Sequence, residues 1–381
     1  MPPAVAEVYL GALTELGNPA STHEHGRAAR ERLETARAEI AEALGCEAVE
    51  VVLTSGGTES INLALKGLFW ARQRHAVRPV LLIAGGEHHA TVDTVEWLAQ
   101  AQGAELVWLP LDASGRLLPT VLAAALEHAG PERVALVSVL WGNNEVGTIQ
   151  PIEELSALAN AAGVPLHVDA VAALGQVPID FGASGASALS VSAHKVGGPV
   201  GVGALVLGRL TQIEGFVHGG SQQRGRSGTQ DVAGAIAFAA ALRDVPRPGG
   251  VPDARLAELR DLLIHGVRQA VPDAVLRGPE PNLGDRLPGN AHFTFPGCQG
   301  DSLLFLLDQR GVSVSTGSAC QAGVAEVSHV LIAMGLPETD AIGALRFTLG
   351  KDSSEADIEA LLEALPEAVV AARRAGVTSV A

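Results

Sequence analysis

The sequence is sparing with cysteine, lysine and aromatic residues. Its 381 residues include three cysteines, Cys46, Cys298 and Cys320, far apart and without a CxxC pair. That pattern excludes a disulfide framework and a zinc knuckle. The twelve histidines include no HExxH, so no metal site is expected. No apolar run reaches the roughly 18 residues of a membrane span. The first residues, "MPPAVAEVYL", place no basic residue before an apolar run and do not resemble a secretory signal. A soluble cytoplasmic protein is expected. Positive charge is also scarce, and the formal net charge is -16. Direct nucleic-acid binding, which depends on clustered Lys and Arg, is not expected.

Apolar residues make up 47% of the chain and charged residues 18%, the balance of a globular protein. The length suits two or three units with their own cores. No repeat of about 20–50 residues is visible. From residue 24 to about 210, helical stretches alternate with short apolar runs. The first, "EHGRAARERLETARAEIAEALG", ends at Gly45. The runs "VVLT" (51–54), "VLLIA" (80–84), "ELVWL" (105–109), "VALVSV" (134–139), "PLHVD" (165–169), "ALSVS" (188–192) and "GALVL" (203–207) predict seven strands. Most are apolar throughout, as in a mainly parallel sheet buried on both faces. Helices between them predict an α/β layered domain.

Pro and Gly cluster in "VPRPGGVPD" (245–253), which places a boundary there. Beyond it the pattern predicts helices at 254–271, 300–309, near 327–334 and 354–374. Strands are predicted at 291–295, 312–315 and 345–349. The expected division is a large α/β domain over 14–250 and a small α+β domain from 1–13 and 251–381.

Ligands of open α/β sheets bind beyond the carboxyl ends of the strands. After "VVLT" comes Ser55-Gly56-Gly57-Thr58 and then a helix. Glycines before a helix N-terminus expose N–H groups that favour an anion. An ordinary turn with Thr58 as a cap fits the same residues. After "VLLIA" come His88 and His89, and after "VALVSV" come Asn143 and Asn144. Asp169 ends "PLHVD". His194 and Lys195 follow "ALSVS". Each has a bland reading: a turn at the Asn pair, a cap at Asp169, a solvated surface lysine. All fall at one edge of one predicted sheet.

The chain has three lysines, Lys66, Lys195 and Lys351. An amine can lose its proton and form a Schiff base, which a guanidinium cannot. Lys195 is the best placed of the three. A Schiff-base lysine, an Asp at a neighbouring strand end, a phosphate cradle and a stacking His are the fittings of pyridoxal phosphate. The carboxylate would keep the pyridine nitrogen protonated so that the ring acts as an electron sink. No Walker motif or GxGxxG follows the first strand.

These residues, taken with "GNPASTHEHGRAA" (17–29), "TSGGTESINLA" (54–64), "EHHA" (87–90), "NNEVGTIQP" (143–151), "HVDA" (167–170), "SAHKVGGPVGVGAL" (192–205), "RSGTQDVA" (226–233), "GNAHFTF" (289–295), "STGSACQAGVAEVSHVLIAMG" (315–335) and "LRFTLG" (345–350), resemble the NifS/IscS-type cysteine desulfurases of the class V aminotransferase superfamily. The long small-residue segment around Cys320 is similar to the NifS/IscS group rather than the SufS-like group. The resemblance implies a PLP-dependent transferase of fold type I, with a seven-stranded, mainly parallel sheet and a smaller C-terminal α+β domain. It also implies a reaction, L-cysteine to L-alanine, with the sulfur left on Cys320 as a persulfide.

Residue by residue, it implies that Lys195 carries the cofactor, Asp169 pairs with its ring nitrogen and His88 stacks on the ring and shuttles protons. Gly57, Thr58, Ser192 and His194 belong to the phosphate cradle. Thr229 would reach the phosphate of the other subunit, which implies a homodimer. Asn144 touches cofactor and substrate, and Arg346 forks onto the substrate's α-carboxylate. A protein acceptor, a U-type iron–sulfur scaffold or a tRNA-thiolation enzyme, would collect the sulfur. The related readings are a selenocysteine lyase, a cysteine-sulfinate desulfinase, an aminotransferase, and a non-catalytic sulfur-relay paralogue.

Three departures stand out. The family pattern begins with a short strand, "YLDxxATTP", whereas this sequence starts near the position where that strand ends. Ala172 stands where the family has a glutamine on the cofactor's phenolic oxygen. "RGRSGT" (224–229) is one residue shorter than usual. A lost hydrogen bond to a charged group costs roughly 1.5–3 kcal/mol of cofactor binding. Cys46, Cys298, His23, His25, His89 and His329 are read as structural. Ser, Gly and Ala around Cys320 suit an exposed, mobile nucleophile.

Overall fold

The computed structural model describes residues 1–220, 222–281, 284–317 and 327–378, with side chains to residue 374. Cys320, and with it the expectation of an exposed and mobile segment, lies outside the described residues. The chain forms two compact units. One comprises Met1–Leu109, Pro119–Trp141 and Pro151–Val251. The other comprises Pro110–Leu118, Gly142–Gln150 and Pro252–Ala381.

The large unit holds seven strands: Val51–Thr54 (β1), Val80–Ala84 (β2), Glu105–Leu109 (β3), Val134–Leu140 (β4), Leu166–Asp169 (β5), Ala188–Ser192 (β6) and Gly203–Leu207 (β7). Their order is β1-β7-β6-β5-β4-β2-β3. β7 runs antiparallel to β1 and β6, and the other pairings are parallel. Helices Pro3–Leu13 (α1), Glu24–Leu44 (α2), Gly57–Gln73 (α3), His89–Gln102 (α4), Pro119–Ala129 (α5), Ile152–Ala161 (α6), Phe181–Ser184 (α7) and Val232–Ala241 (α8) surround the sheet. All strands but β3 are buried along their length. Such burial on both faces explains their mainly apolar sequences. β3 is an edge strand and keeps Val107 and Trp108 exposed. One core cluster joins Val52, Ile61, Leu65, Leu81, Ile83, Leu136 and Leu205. α2 stops at Gly45, whose left-handed φ of 64° lets its N–H reach back to the last carbonyls.

Residues 1–13 were expected in the small unit. They form α1, which packs on α8 of the large unit through Val5, Ala237 and Ala241. Pro2 supplies a boundary and a further proline opens the helix, where a missing N–H costs nothing.

The small unit is built on an antiparallel sheet of Val275–Arg277 (β8), Asn290–Thr294 (β9) and Ala344–Thr348 (β10), in the order β10-β9-β8. Its helices are Ala254–Ala270 (α9), Gly300–Asp308 (α10), His329–Ala333 (α11), Glu338–Ala341 (α12) and Glu355–Thr378 (α13). Period-2 alternation divides the sheet. Ala291, Phe293, Leu345 and Phe347 join Leu263, Val267, Leu303 and Leu365 in an apolar core. The intervening residues Asn290, His292, Thr294 and Arg346 belong to the opposite, polar face. The strand expected at 312–315 is reduced to a bridge of Ser315 with Arg346. β8, three residues long, was not foreseen.

Candidate active site

Three strand ends meet in register at one edge of the large sheet. Gly203 pairs with Thr54 on one side and Ser192 on the other. Gly56 turns the chain out of β1 with φ 129°, and α3 begins at Gly57. A Cβ on Gly203 would lie 2.7 Å from the Cα of Gly56, and one on Gly57 would lie 2.7 Å from Cγ2 of Val171. Only glycines allow this approach, and no side chain of the N-cap residue bonds the N-terminal amides of the 17-residue helix. Thr58 is exposed in the first turn and caps nothing. Ser55 N–H donates to Oε2 of Glu59 at 2.7 Å, and Nε of Arg226 donates to Oε1 at 2.9 Å. Burial raises the Glu59 pKa, but these bonds outweigh it and hold the carboxyl below its usual range. The pair ties the 224–229 segment, with exposed Thr229 at its end, to the glycine turn.

Ser192, buried at the end of β6, shares a 2.9 Å hydrogen bond with Nδ1 of His194. Lys195 follows, exposed, in the short 3-10 turn Ala193–Val196. Asp169, at the end of β5, is 2% exposed. Its Oδ1 accepts from Val171 N–H at 2.9 Å, a local turn rather than a helix cap. Burial pushes its pKa up to about 6, while that bond and the charge of Lys195 pull the other way. Lys195, Asp169, Ser192 and His194 are therefore neighbours.

Glu87 lies beside Asp169. Its Oε1 accepts from Leu140 N–H at 2.7 Å, and Leu140 pairs with Asp169 across the sheet. Burial first, and the Asp169 charge second, push Glu87 up to about 8, so it holds a proton at neutral pH. His88 caps α4, and its Nδ1 accepts from Ala90 N–H at 3.0 Å. The neutral ring then carries its proton on Nε2. His167 sits between Ser138 and Ser190, 3.0 and 2.9 Å from its two nitrogens, and burial pushes it down to about 3.

The small unit presents a second group. Asn143 Oδ1 accepts from the N–H groups of Glu145 and Val146, both at 2.9 Å, and so folds "NNEVG" into the expected turn. Nη1 of Arg346 donates to the Asn144 carbonyl at 2.9 Å. Its Nε is buried and has no hydrogen-bond partner among the described residues. A guanidinium with an idle buried N–H suits a carboxylate. Arg346, His292 and Arg277 stand in one register row. Burial, then its arginine neighbours, push His292 down to about 3.

Sequence reasoning missed Glu87, Glu145 and His292. Glu87 was present in the "EHHA" motif, next to a residue given a role. Of the other two thiols, Cys46 is pushed up to about 12 by burial and then Glu50. Cys298 is raised chiefly by burial. Neither is a thiolate at neutral pH, as their structural reading requires. Among the described residues no cluster of His, Cys, Asp or Glu forms a metal site, and no helix is long and apolar enough to cross a membrane.

Residues 1–361 match the family described as Aminotransferase class-V, and the chain belongs to that family. It is 50% identical over 381 residues to an IscS-like cysteine desulfurase of Mycobacterium tuberculosis, covering 100% of this chain and 96% of that one. It is 40% identical to the cysteine desulfurase IscS of Dictyoglomus turgidum, over 92% of this chain and 87% of that one. A solved NifS-like protein superposes with a TM-score of 0.85 at 30% identity, covering 97% and 96% of the two chains. A structure of SspA in complex with cysteine gives 0.76 at 28% identity, over 92% and 95%. With the seven-stranded sheet, these likenesses establish the fold type I architecture that the sequence motifs implied.

Proposed function

We propose that the chain is a cysteine desulfurase dependent on pyridoxal phosphate, converting L-cysteine to L-alanine with the sulfur retained on Cys320 as a persulfide. The observation that carries this reading is the placement of Lys195 and the buried carboxylate of Asp169 at the sheet edge that also carries the Gly56–Gly57 turn and Ser192. The residues fit the cofactor on this chain's own chemistry. The Gly56–Gly57 turn opens a 17-residue helix with no side-chain cap, and its N-terminal amides suit a phosphate. Ser192 and His194 supply further polar atoms there. Asp169 is a dry carboxylate that a protonated ring nitrogen would stabilise as the anion. Lys195 is the one lysine at this edge.

The bound cofactor supplies an electron sink for the charge left when the substrate loses its α-proton. Lys195 holds the cofactor and moves that proton. His88, whose cap bond uses Nδ1 and leaves the ring proton on Nε2, stacks and passes protons. Arg346 takes the substrate's α-carboxylate, for which its idle Nε–H is the support, and Asn144 assists. The Cys320 thiolate attacks the substrate sulfur. An S–S bond forms, the C–S bond breaks, and its electron pair goes to the carbon, which takes up a proton to become the alanine methyl.

Thr229 is assigned to the phosphate of a second copy, so the enzyme works as a homodimer. The acceptor of the persulfide sulfur is a protein, an iron–sulfur scaffold or a tRNA-thiolation enzyme, and the setting is the cytoplasm. Purified protein tests the reading. It should be yellow, and L-cysteine should give alanine in step with persulfide. A keto acid formed by amino transfer would indicate an aminotransferase, and a colourless protein that cannot be reconstituted would indicate a relay protein.

A further inference from the structure

Glu145 is a buried carboxylate, 2% exposed, on the "NNEVG" turn of the small unit. Its backbone is fixed twice, by its N–H on Asn143 Oδ1 and by its carbonyl, which accepts from Asn290 Nδ2 at 2.9 Å. Nothing in the reaction requires an acid at this place. Its Oε2 accepts a short hydrogen bond from Oγ of Ser328. The same oxygen faces Gly317 so closely that a Cβ there would overlap it, and would stand 3.3 Å from Nε2 of His292. Gly317 and Ser328 flank the stretch that carries Cys320. Gly317 lies just past the Ser315–Arg346 bridge, and Ser328 caps α11 through Leu331 N–H. The Glu145 charge also acts on Arg346.

We infer that Glu145 is a positioning residue that pins both ends of the Cys320-bearing segment, at Gly317 and at Ser328. The inference rests on the proposed role of Cys320 as sulfur acceptor. A segment that must deliver a thiol to a substrate sulfur gains from having its two ends held at one fixed point, because the search left to the thiol is then shorter. A carboxylate suits this better than a neutral amide. It accepts a stronger hydrogen bond from the serine, and it offers no N–H to the glycine. The absence of a Cβ at Gly317 follows from the same contact, independently of any turn requirement.

The experiment compares wild type with Ser328→Ala, Gly317→Ala, Glu145→Gln and the conservative Ser328→Thr, all as cofactor-loaded enzyme. The first readout is single-turnover persulfide formation on Cys320 with saturating L-cysteine. It should slow by about tenfold or more in Ser328→Ala, the scale of losing a hydrogen bond to a charged group, and likewise in Gly317→Ala, whose added Cβ would push the Glu145 carboxylate away. KM and the cofactor's absorbance should hold, and Ser328→Thr should restore the rate. The second readout needs no turnover: alkylation of Cys320 by iodoacetamide, followed by peptide mass spectrometry. It should rise by about threefold or more in the same two variants. The Glu145→Gln/Ser328→Ala double variant should be no slower than the worse single, since both remove one contact.

Persulfide formation within about twofold of wild type in both Ser328→Ala and Gly317→Ala overturns the inference. If wild type itself forms no persulfide, the desulfurase reading fails instead. The alkylation rates then decide the pinning alone, and unchanged rates overturn it.

Discussion

The ammonium of Lys195 acts on the carboxylate of Asp169, drawing its pKa down against the burial that lifts it to about 6. Asp169 ends β5 and is buried, whereas Lys195 follows β6 and is exposed, and their charges are complementary. Asp169→Asn keeps the shape and removes the charge. Turnover of L-cysteine should fall by at least about tenfold, the equivalent of one pKa unit of lost stabilisation. The absorbance of the bound cofactor should shift as well. Equal turnover and spectrum would show that Asp169 faces no ring nitrogen.

Glu87 has a folded pKa raised from 4.5 to about 8. Between those values the folded protein keeps a proton that the unfolded chain releases. Stability from this group is therefore full below pH 4.5 and is lost as pH rises through 8. Glu87→Gln removes the proton exchange. Urea unfolding across this window should show a shallower fall with pH in the variant, by up to about 1.4 kcal/mol per pH unit. Identical slopes would mean that Glu87 is ionised in the fold.

Arg346→Lys retains a positive charge and loses the planar fork. Its idle buried Nε–H disappears with it. KM for L-cysteine should rise by about tenfold or more, with the cofactor spectrum unchanged. An unaltered KM would remove Arg346 from substrate binding.

Ala172 is half-buried, and its carbonyl accepts from Gln176 Nε2 at 3.2 Å. Ala172→Gln restores the family's donor to the phenolic oxygen. Cofactor release on dialysis should slow by about tenfold or more if the bond forms. An unchanged release rate would mean that another group already serves that oxygen.

The large sheet was legible because doubly covered strands must be mostly apolar, and six of the seven are buried along their whole length. β3 was found by the same sign although its edge position leaves it exposed, since Val and Trp favour strands in either setting. The three-residue β8 is too short to show alternation. The run at 312–315 alternates like a strand but finds a partner only at Ser315. Residues 1–13 were assigned to the small domain, because the packing of α1 against Ala237 and Ala241 is a long-range fact that the sequence does not show. At the site, strand-end positions exposed Asp169 and Lys195. Glu87 and Glu145 stayed hidden because an acid in a sequence reads as a surface charge, and only the fold reveals its burial.

Cys320 is the centre of the account, and Cys320→Ser tests it most directly. The variant and wild type are given L-cysteine under the same conditions, and sulfide, alanine and persulfide are followed together. The account predicts that the variant keeps the cofactor's absorbance but forms no persulfide and no longer releases sulfide. Wild type should carry the sulfur on Cys320, with Cys46 and Cys298 unmodified, because burial holds both thiols protonated. Sulfide release by Cys320→Ser at the wild-type rate would contradict it.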